Sequence, residues 1–489
     1  MHFRLIRALL GLLLLLFSLS MLTPLPFALY YAEDTASIFL KAFAITAITG
    51  ATLWLPDRKP AGQMQAREGF LITALFWIVL GSFGSLPFIF SSQLPLSIVD
   101  AVFESVSGLT TTGATVITGL DALPKSLLFY RQQLQWLGGI GIIVIAIAIL
   151  PMLGIGGMQL YKAETPGPMK DNKLTPRVTG TAKVLFIIYL IMTIACGLCY
   201  WLAGMSPYDA LTHSFSTVAI GGFSTHDASM GYFDSPLILI ISCVFMILAG
   251  VNFGLHYFAF RRLSFGTYWR DAEARCYLLI LLSAALVTNL LTWAYYQLNI
   301  TETDYSLNEN IVHYLFQVVS MATTTGFTAT DYSVWPPAAT VFIFLLAFIG
   351  ACAGSTGGGM KVIRIVLLFK QGYRELLRLI HPNAVIPIKL GSEPVSDRVV
   401  NAVWSFFAIY LMAFIVLFLL VMLTGLDFET AFSAVGASIN NLGPGLGKVT
   451  FHYADIPDTA KWLLCFAMLL GRLEVFTLLV LLTPAFWKK

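Results

Sequence analysis

Charge is what this 489-residue sequence has least of: Asp, Glu, Lys and Arg make up 11% of it, 57% is hydrophobic, and the mean hydropathy is +0.80. A chain so poor in charge cannot dress a surface for water, which excludes a soluble enzyme. The net charge of +3 is too small to hold nucleic acid. Cysteine is scarce as well. Cys196, Cys199, Cys243, Cys352 and Cys465 lie in apolar runs and Cys276 lies beside a basic stretch, so no disulfide framework is indicated. Cys196-Gly-Leu-Cys199 has the spacing of a redox or metal pair, but inside an apolar helical run it reads as small packing residues. Catalytic equipment is missing too: His213, His226 and His256 lack metal-ligand spacing, no nucleophile–base pair stands out, and there is no Walker or dinucleotide fingerprint. Nothing calls for an organic cofactor.

What the chain has is length of apolar sequence. A bilayer span takes roughly 20 such residues, and runs of that order fall near 9–31, 37–55, 69–91, 128–153, 182–204, 236–260, 277–299, 337–369, 399–424 and 462–486. Arg4 and Arg7 precede the first run as in a signal peptide, but the run is too long and shows no small-residue cleavage site, so it reads as a retained helix. Basic residues gather on one side: Arg4 and Arg7; Arg58, Lys59 and Arg67; Lys162 to Lys183; Arg261 to Arg275; Lys361 to Arg398; Lys488 and Lys489. That side is the cytoplasm, which puts both termini inside. The outer side carries Glu33, Asp34, Asp100, Glu104, Asp121, Asp209, Asp227, Asp234, Glu309 and Asp331 among its acids, and so draws cations to its surface.

Four outer loops repeat. They read Asp100 to Thr110-Thr111-Thr112-Gly113, Asp209 to Ala219-Ile220-Gly221-Gly222, His313 to Thr323-Thr324-Thr325-Gly326, and Thr430 to Asn440-Asn441-Leu442-Gly443. The aligned glycines fall 109, 104 and 117 residues apart, and each copy is flanked by two spans, so the repeating unit is helix–loop–helix. Downstream, Gly250, Gly354 and Gly471 each follow their loop glycine by 28 residues and Gly139 follows by 26. The expected fold is an all-α polytopic membrane protein with four helix–pore loop–helix hairpins around one ion pathway and two extra N-terminal helices. Its divisions are 1–60 for the extra pair, then 61–160, 161–265, 266–385 and 386–489 for the four repeats.

Irregular backbone at membrane depth is tolerated where protein buries it or where it lines a watery cavity, and four loops around one axis supply such a cavity. About ten residues before each loop can form a half-helix whose C-terminal carbonyl end favours a cation, with Asp100 and Asp209 read as N-caps rather than ion ligands. The Thr-Thr-Thr-Gly segments offer successive carbonyls and hydroxyls in place of an ion's water shell.

These motifs, Thr110-Thr111-Thr112-Gly113-Ala114-Thr115, Ala219-Ile220-Gly221-Gly222-Phe223-Ser224, Thr323-Thr324-Thr325-Gly326-Phe327 and Asn440-Asn441-Leu442-Gly443-Pro444-Gly445, carry a resemblance. Over essentially its whole length the chain resembles the TrkH, KtrB and HKT superfamily of potassium transporters, and the TrkH branch most. The resemblance implies that the four glycines mark a selectivity filter at which potassium binds, with Gly113, rather than serine, favouring potassium over sodium. Two departures stand: Ile220 occupies a place where the family often has threonine, and the fourth repeat lacks the threonine run. Also implied are potassium uptake across a bacterial inner membrane, homodimerisation, and control by cytosolic nucleotide-binding subunits of the TrkA type. The basic segments 162–183, 261–275 and 361–398 suit docking of those subunits and equally suit the topology rule and anionic lipid.

The run 337–369 is interrupted by Gly350-Ala-Cys-Ala-Gly354-Ser355-Thr356-Gly357-Gly358-Gly359, more glycine than a helix or a packing contact needs. It reads as a movable barrier below the filter, and the resemblance implies an intramembrane loop there. In the last span Arg472 and Glu474 interrupt leucine-rich sequence. A central arginine costs roughly 2.5 to 3.5 kcal/mol on insertion scales, so it faces the bundle interior or the pore. Two readings stand for it: an electrostatic barrier beneath the filter, or a structural ion pair with Glu474 or another buried acid. An ion-coupled symporter, driven by sodium or protons, is the alternative to channel-like uptake, with Glu474 as the main titrating candidate.

Overall fold

In the computed structural model of the chain, residues 2–57, 66–144, 178–299, 307–391 and 393–488 are described. They are almost all helix; strand pairing among them is a single short hairpin, Lys389–Leu390 against Glu393–Pro394. The principal helices are α1 (Phe3–Ser20), α2 (Ala36–Trp54), α3 (Ala66–Gly84), α4 (Ile98–Leu109), α5 (Lys125–Val144), α6 (Val178–Leu202), α7 (Pro207–Ala219) and α8 (Pro236–Ala249). They continue as α9 (Phe253–Arg262), α10 (Ala272–Asn299), α11 (Leu307–Ala322), α12 (Pro337–Ile349), α13 (Val362–Ile380), α14 (Asp397–Met422), α15 (Phe428–Asn440) and α16 (Asp458–Arg472).

Six described stretches, Phe3–Tyr30, Ala36–Asp57, Arg67–Ile89, Lys183–Leu202, Ala272–Leu298 and Asp397–Met422, are long and apolar enough to cross a bilayer. On α10 the exposed large side chains Leu279, Leu282, Leu286, Leu290 and Trp293 recur every three or four residues, a stripe that suits hydrocarbon and not water. The chain is a multi-pass membrane protein.

Three expected spans are not continuous. The run 236–260 divides into α8 and α9, bent by 98°, and 462–486 divides into α16 and Phe476–Leu482, bent by 112°. The run 337–369 divides into α12 and α13 with a nonhelical segment between. Apolar length is blind to such breaks, which polar and left-handed residues make. Asn252 caps α9 by accepting from Gly254 N at 2.8 Å, while Glu474 and Val475 take φ of 52° and 57°. The run 128–153 is helical as far as Val144. Its remainder, the basic stretch 162–177, Arg58, Lys59, Glu302, Asp304 and Lys489 lie outside the described residues.

The short helices α4, α7, α11 and α15 sit inside the bundle. Each packs on its own two flanking helices and on the outgoing helix of the copy before it: α7 on α5, α11 on α8, α15 on α12, and α4 on α16. The last of these contacts closes the series into a ring, which brings the four loops that follow the short helices to one place.

Outside the ring α1 and α2 cross on glycine. A Cβ at Gly11 would lie 2.6 Å from Trp54 N, and one at Gly50 would lie 2.8 Å from Leu15 N, so the two backbones touch. Gly11→Leu or Gly50→Leu forces the pair apart at about 1–3 kcal/mol of overpacking. Each is expected to lower the melting temperature of the detergent-solubilised protein; parent-like melting would show that this crossing does not hold the pair.

Candidate functional site

The four loops are conformational copies. After each short helix the amide just before the loop glycine reaches back to a carbonyl five residues earlier: Thr112 N to Ser107 O, Gly221 N to Ser216 O and Thr325 N to Ser320 O at 2.8 Å, and Leu442 N to Ala437 O at 2.9 Å. Such closures need left-handed backbone. Thr111, Ile220, Thr324 and Asn441 supply it with φ of 52°, 55°, 66° and 53°, and Gly113, Gly222, Gly326 and Gly443 follow at 83°, 79°, 82° and 93°.

Glycine is required there for a second reason. A Cβ on Gly113 would lie 2.1 Å from Gly221 O, one on Gly222 2.1 Å from Thr325 O, one on Gly326 2.4 Å from Leu442 O, and one on Gly443 2.7 Å from Thr112 O. Each loop therefore leans on the next, and the fourth returns to the first. All four glycines line one cleft, together with His226 and Asp227.

The sequence expectations are sharpened at several points. Asp100 and Asp209 are not N-caps: Ser97 and Ser206 cap α4 and α7, accepting the amides of Asp100 and Asp209 at 3.1 and 3.0 Å. A hydroxyl three residues earlier takes the capping place, which frees Asp100 to bind Lys461 Nζ at 2.6 Å and Asp209 to accept from Thr225 Oγ1 at 2.9 Å. The threonine hydroxyls are largely committed to protein. Those of Thr110 and Thr323 donate to Val106 O and Val319 O and pair with those of Thr112 and Thr325. Carbonyls are thus the ring's free donors of electron density. Ala219, Ile220, Asn440 and Leu442 are all buried in the ring, and Asn441 Nδ2 bridges to Thr112 Oγ1 at 3.0 Å, joining the fourth loop to the first. The downstream register shifts by one: a Cβ on Gly138 would lie 1.9 Å from Leu109 O, as one on Gly471 would lie 2.1 Å from Ile439 O. Gly138, rather than Gly139, is the counterpart of Gly471.

Below the ring, the segment between α12 and α13 lies against the loops. Thr356 Oγ1 donates to Val218 O at 3.0 Å, Gly358 N to Thr324 Oγ1 at 2.7 Å and Gly359 N to Asn440 O at 3.1 Å, so it touches the second, third and fourth copies. Gly350, Gly354 and Gly359 are left-handed, with φ of 71°, 72° and 73°. A Cβ on Gly357 would press within 2.9 Å of Thr323 O, and Ser355 Oγ closes the turn onto Cys352 O. Arg472 completes the circle, donating to Thr356 O at 3.3 Å and to Gly138 O, on the first copy's outgoing helix, at 3.0 Å. It does not pair with Glu474. The left-handed turn at Glu474 and Val475 swings that carboxylate away to Arg364, at 2.6 Å, and among the described residues Arg472 has no carboxylate partner.

Known proteins share this fold. A profile of the cation transport protein family TrkH matches residues 35–489. The chain belongs to the TrkH family. It is 54% identical to the Trk system potassium uptake protein TrkH of Halomonas elongata and 53% identical to that of Escherichia coli K12, over the whole length of each. A crystal structure of the potassium transporter TrkH from Vibrio parahaemolyticus superposes with a TM-score of 0.91 at 52% identity, covering both chains completely. The relatives are named as transporters, and this TrkH-family chain is not an enzyme.

Residues that sequence reasoning passed over hold the loops of this TrkH-family chain from behind. Glu104 accepts from Arg131 Nε at 2.8 Å, Thr115 Oγ1 and Val116 N at 3.0 Å, while Arg131 also reaches Ser224 O at 3.0 Å and covers the Phe223 ring. Gln135 brackets the second loop, donating to Gly221 O at 2.6 Å and accepting from Phe223 N at 3.1 Å. The signal was present: Arg131, Gln132, Gln133 and Gln135 crowd one otherwise apolar run, and buried polar residues in a span are costly unless paired.

At the mouth, His226 stands between Asp121, which its Nδ1 contacts, and Asp209, 3.4 Å from its Nε2. Burial disfavours its cationic form, but hydrogen bonds and charge from Asp209 and Asp121 outweigh this and raise its pKa. Burial likewise opposes ionised Asp209, yet hydrogen bonds from His226, Ser206 and Thr225 with the nearby His213 hold that carboxyl well below its usual range. A histidine whose folded pKa is raised contributes stability that is complete below its unfolded value and is lost as pH rises through the folded one. The melting temperature, followed from about pH 5 to about pH 9, is expected to fall across that window. His226→Asn is expected to flatten the fall, and an unchanged slope would remove His226 as its cause.

Proposed function

We propose that the chain is a potassium uptake protein of the bacterial inner membrane, multi-pass with both termini cytoplasmic, in which the ring at Gly113, Gly222, Gly326 and Gly443 is the selectivity filter. The observation that carries this reading is the closure of the ring, each glycine held against a carbonyl of the next copy. Backbone so confined supplies a fixed set of oxygens to a dehydrated cation. The half-helices α4, α7, α11 and α15 end at those oxygens and add their partial negative charge. The names of the relatives support potassium as the ion.

In this proposal the five sequence divisions are one N-terminal helix pair and four pore repeats. Residues 350–359 form the barrier beneath the filter, and Arg472 is its electrostatic part. A guanidinium bound to carbonyls on either side keeps its positive charge, and that charge repels a cation leaving the filter. Coupling to protons through Glu474 is disfavoured by its pairing with Arg364. Regulation by cytosolic nucleotide-binding subunits of the TrkA type is supported by the "Trk system" in the relatives' names and by exposed Arg261, Arg262 and Arg270 at the cytoplasmic elbow. Homodimerisation belongs to the same proposal and rests on the family resemblance.

Rubidium uptake in cells without other potassium systems tests the function directly, and proteoliposomes with a potassium gradient alone test the mode. Uptake that demands a sodium or proton gradient would overturn the channel-like reading. Gly113→Ser places a side chain against Gly221 O and is expected to lower the potassium-to-sodium ratio by about tenfold, one displaced ligand being of the order of 1.4 kcal/mol. An unaltered ratio would count against the filter assignment. Arg472→Glu is expected to change potassium flux with that ratio kept, and equal flux would sink the electrostatic barrier.

A further inference from the structure

One buried carboxylate is used neither by the ring nor by Arg472. Glu273, in the first turn of α10, is 3% exposed and belongs to the third repeat's incoming helix. Its Oε1 accepts from Ala353 N at 2.8 Å and from Ile363 N at 3.3 Å. Those amides lie ten residues apart and flank Gly354 to Gly359, so one oxygen holds both ends of the segment beneath the ring. Neighbouring bonds fasten the same base: Asn252 Nδ2 donates to Ala353 O at 2.8 Å, Phe253 N to Gly354 O at 3.1 Å and Cys352 N to Gly250 O at 2.9 Å. The far part of the segment is held by the contacts to the ring and to Arg472 described above, by Lys361 Nζ on Gly357 O, and by Met360 N and Val362 N on Phe348 O and Ala351 O.

Glu273 is also the first buried residue beyond the cytoplasmic elbow 263–271. That elbow is fixed by Asp271 Oδ1, which accepts from Ala274 N at 2.8 Å, and by Tyr268 Oη against His256 Nδ1 at 2.8 Å. His256 Nε2 in turn contacts Leu248 O at 2.9 Å, at the end of α8. A displacement of the elbow therefore moves Glu273, and Glu273 moves both ends of the segment together.

A carboxylate in hydrocarbon is costly, and a neutral side chain can satisfy two amides. What the side chain adds is one oxygen, offered from a separate helix, that both amides share. We propose that Glu273 is the positioning residue of the barrier: its carboxylate ties both ends of residues 353–363 to the cytoplasmic elbow and holds the segment against the ring. The inference rests on the reading of that segment as the barrier.

The test uses the full chain in proteoliposomes, with rubidium flux and the potassium-to-sodium ratio as readouts. Glu273→Ala is expected to raise flux by roughly tenfold, as loss of two buried hydrogen bonds would, and to leave the ratio unchanged. Glu273→Gln, which keeps one acceptor oxygen, falls between. Amide hydrogen exchange across 350–363 is expected to quicken in both variants. Parent-like flux in folded Glu273→Ala, or parent-like exchange at Ala353 and Ile363, overturns the proposal, as does a changed ratio. Should Glu273→Ala not fold, flux and exchange in Glu273→Gln decide. A variant lacking residues 355–358 separates the two ideas. If it does not raise flux, the barrier reading fails and the anchor with it; if it does and Glu273→Ala does not, the anchor alone fails.

Discussion

Backbone polar groups that leave regular helix inside a membrane must find partners in the protein, and the four glycine loops meet that demand by closing on one another. The amides turn inward to carbonyls five residues back, from Thr112 to Ser107 and likewise in the other three copies. Because the amides are spent on their own helices, carbonyls are left in surplus around the ring. In the proposed reading, the site's preference for a cation is a consequence of how its turns are closed, before any charged side chain is considered.

Such turns are strained wherever the left-handed residue is not glycine. Thr111, Ile220 and Thr324 are the costly cases, β-branched residues at φ of 52°, 55° and 66°. The scaffold behind the loops over-determines this backbone. Gln135 grips both sides of Gly221, Tyr453 Oη donates to Gly443 O at 2.7 Å, and the Glu104–Arg131 pair joins the first loop to the second. Removing one partner of the buried Glu104–Arg131 pair would leave an uncompensated charge, costing about 3–5 kcal/mol.

What was legible in the sequence follows from what repeats. Thr110 to Gly113 alone is an ordinary turn signal, but four registered copies between apolar runs specified the hairpin unit and the place of the loops. Local chemistry was harder to read. Asp100 and Asp209 are good capping residues, yet Ser97 and Ser206 stand three residues ahead and win the position. Arg472 and Glu474 are neighbours in sequence, but residues two apart on a helix do not face each other, and the left-handed pair Glu474–Val475 turns the carboxylate to Arg364. Breaks at Asn252 and Glu474 were hidden because hydropathy averages over them, whereas the run of glycines from Gly350 announced itself. Glu104 stood only as one of the outer acids because its partners Arg131, Thr115 and Val116 lie 11 to 27 residues on, and Glu273 was missed because its partners are amides 80 and 90 residues on.

The ring is nearly four-fold, but the floor beneath it is not. The outgoing helices of the second, third and fourth copies all break below their loops, and each break does something different. At Gly250 to Asn252 the chain offers a carbonyl and a side-chain amide to the neighbouring segment; at Gly350 to Lys361 it becomes that segment; at Leu473 to Val475 it ends the helix that presents Arg472. Equivalent loops can share an ion equally among themselves, whereas a barrier needs one copy to cross the axis and the others to receive it. In the proposed reading, repetition supplies the coordination shell, and divergence just below it supplies a place where flux can be controlled without altering the shell.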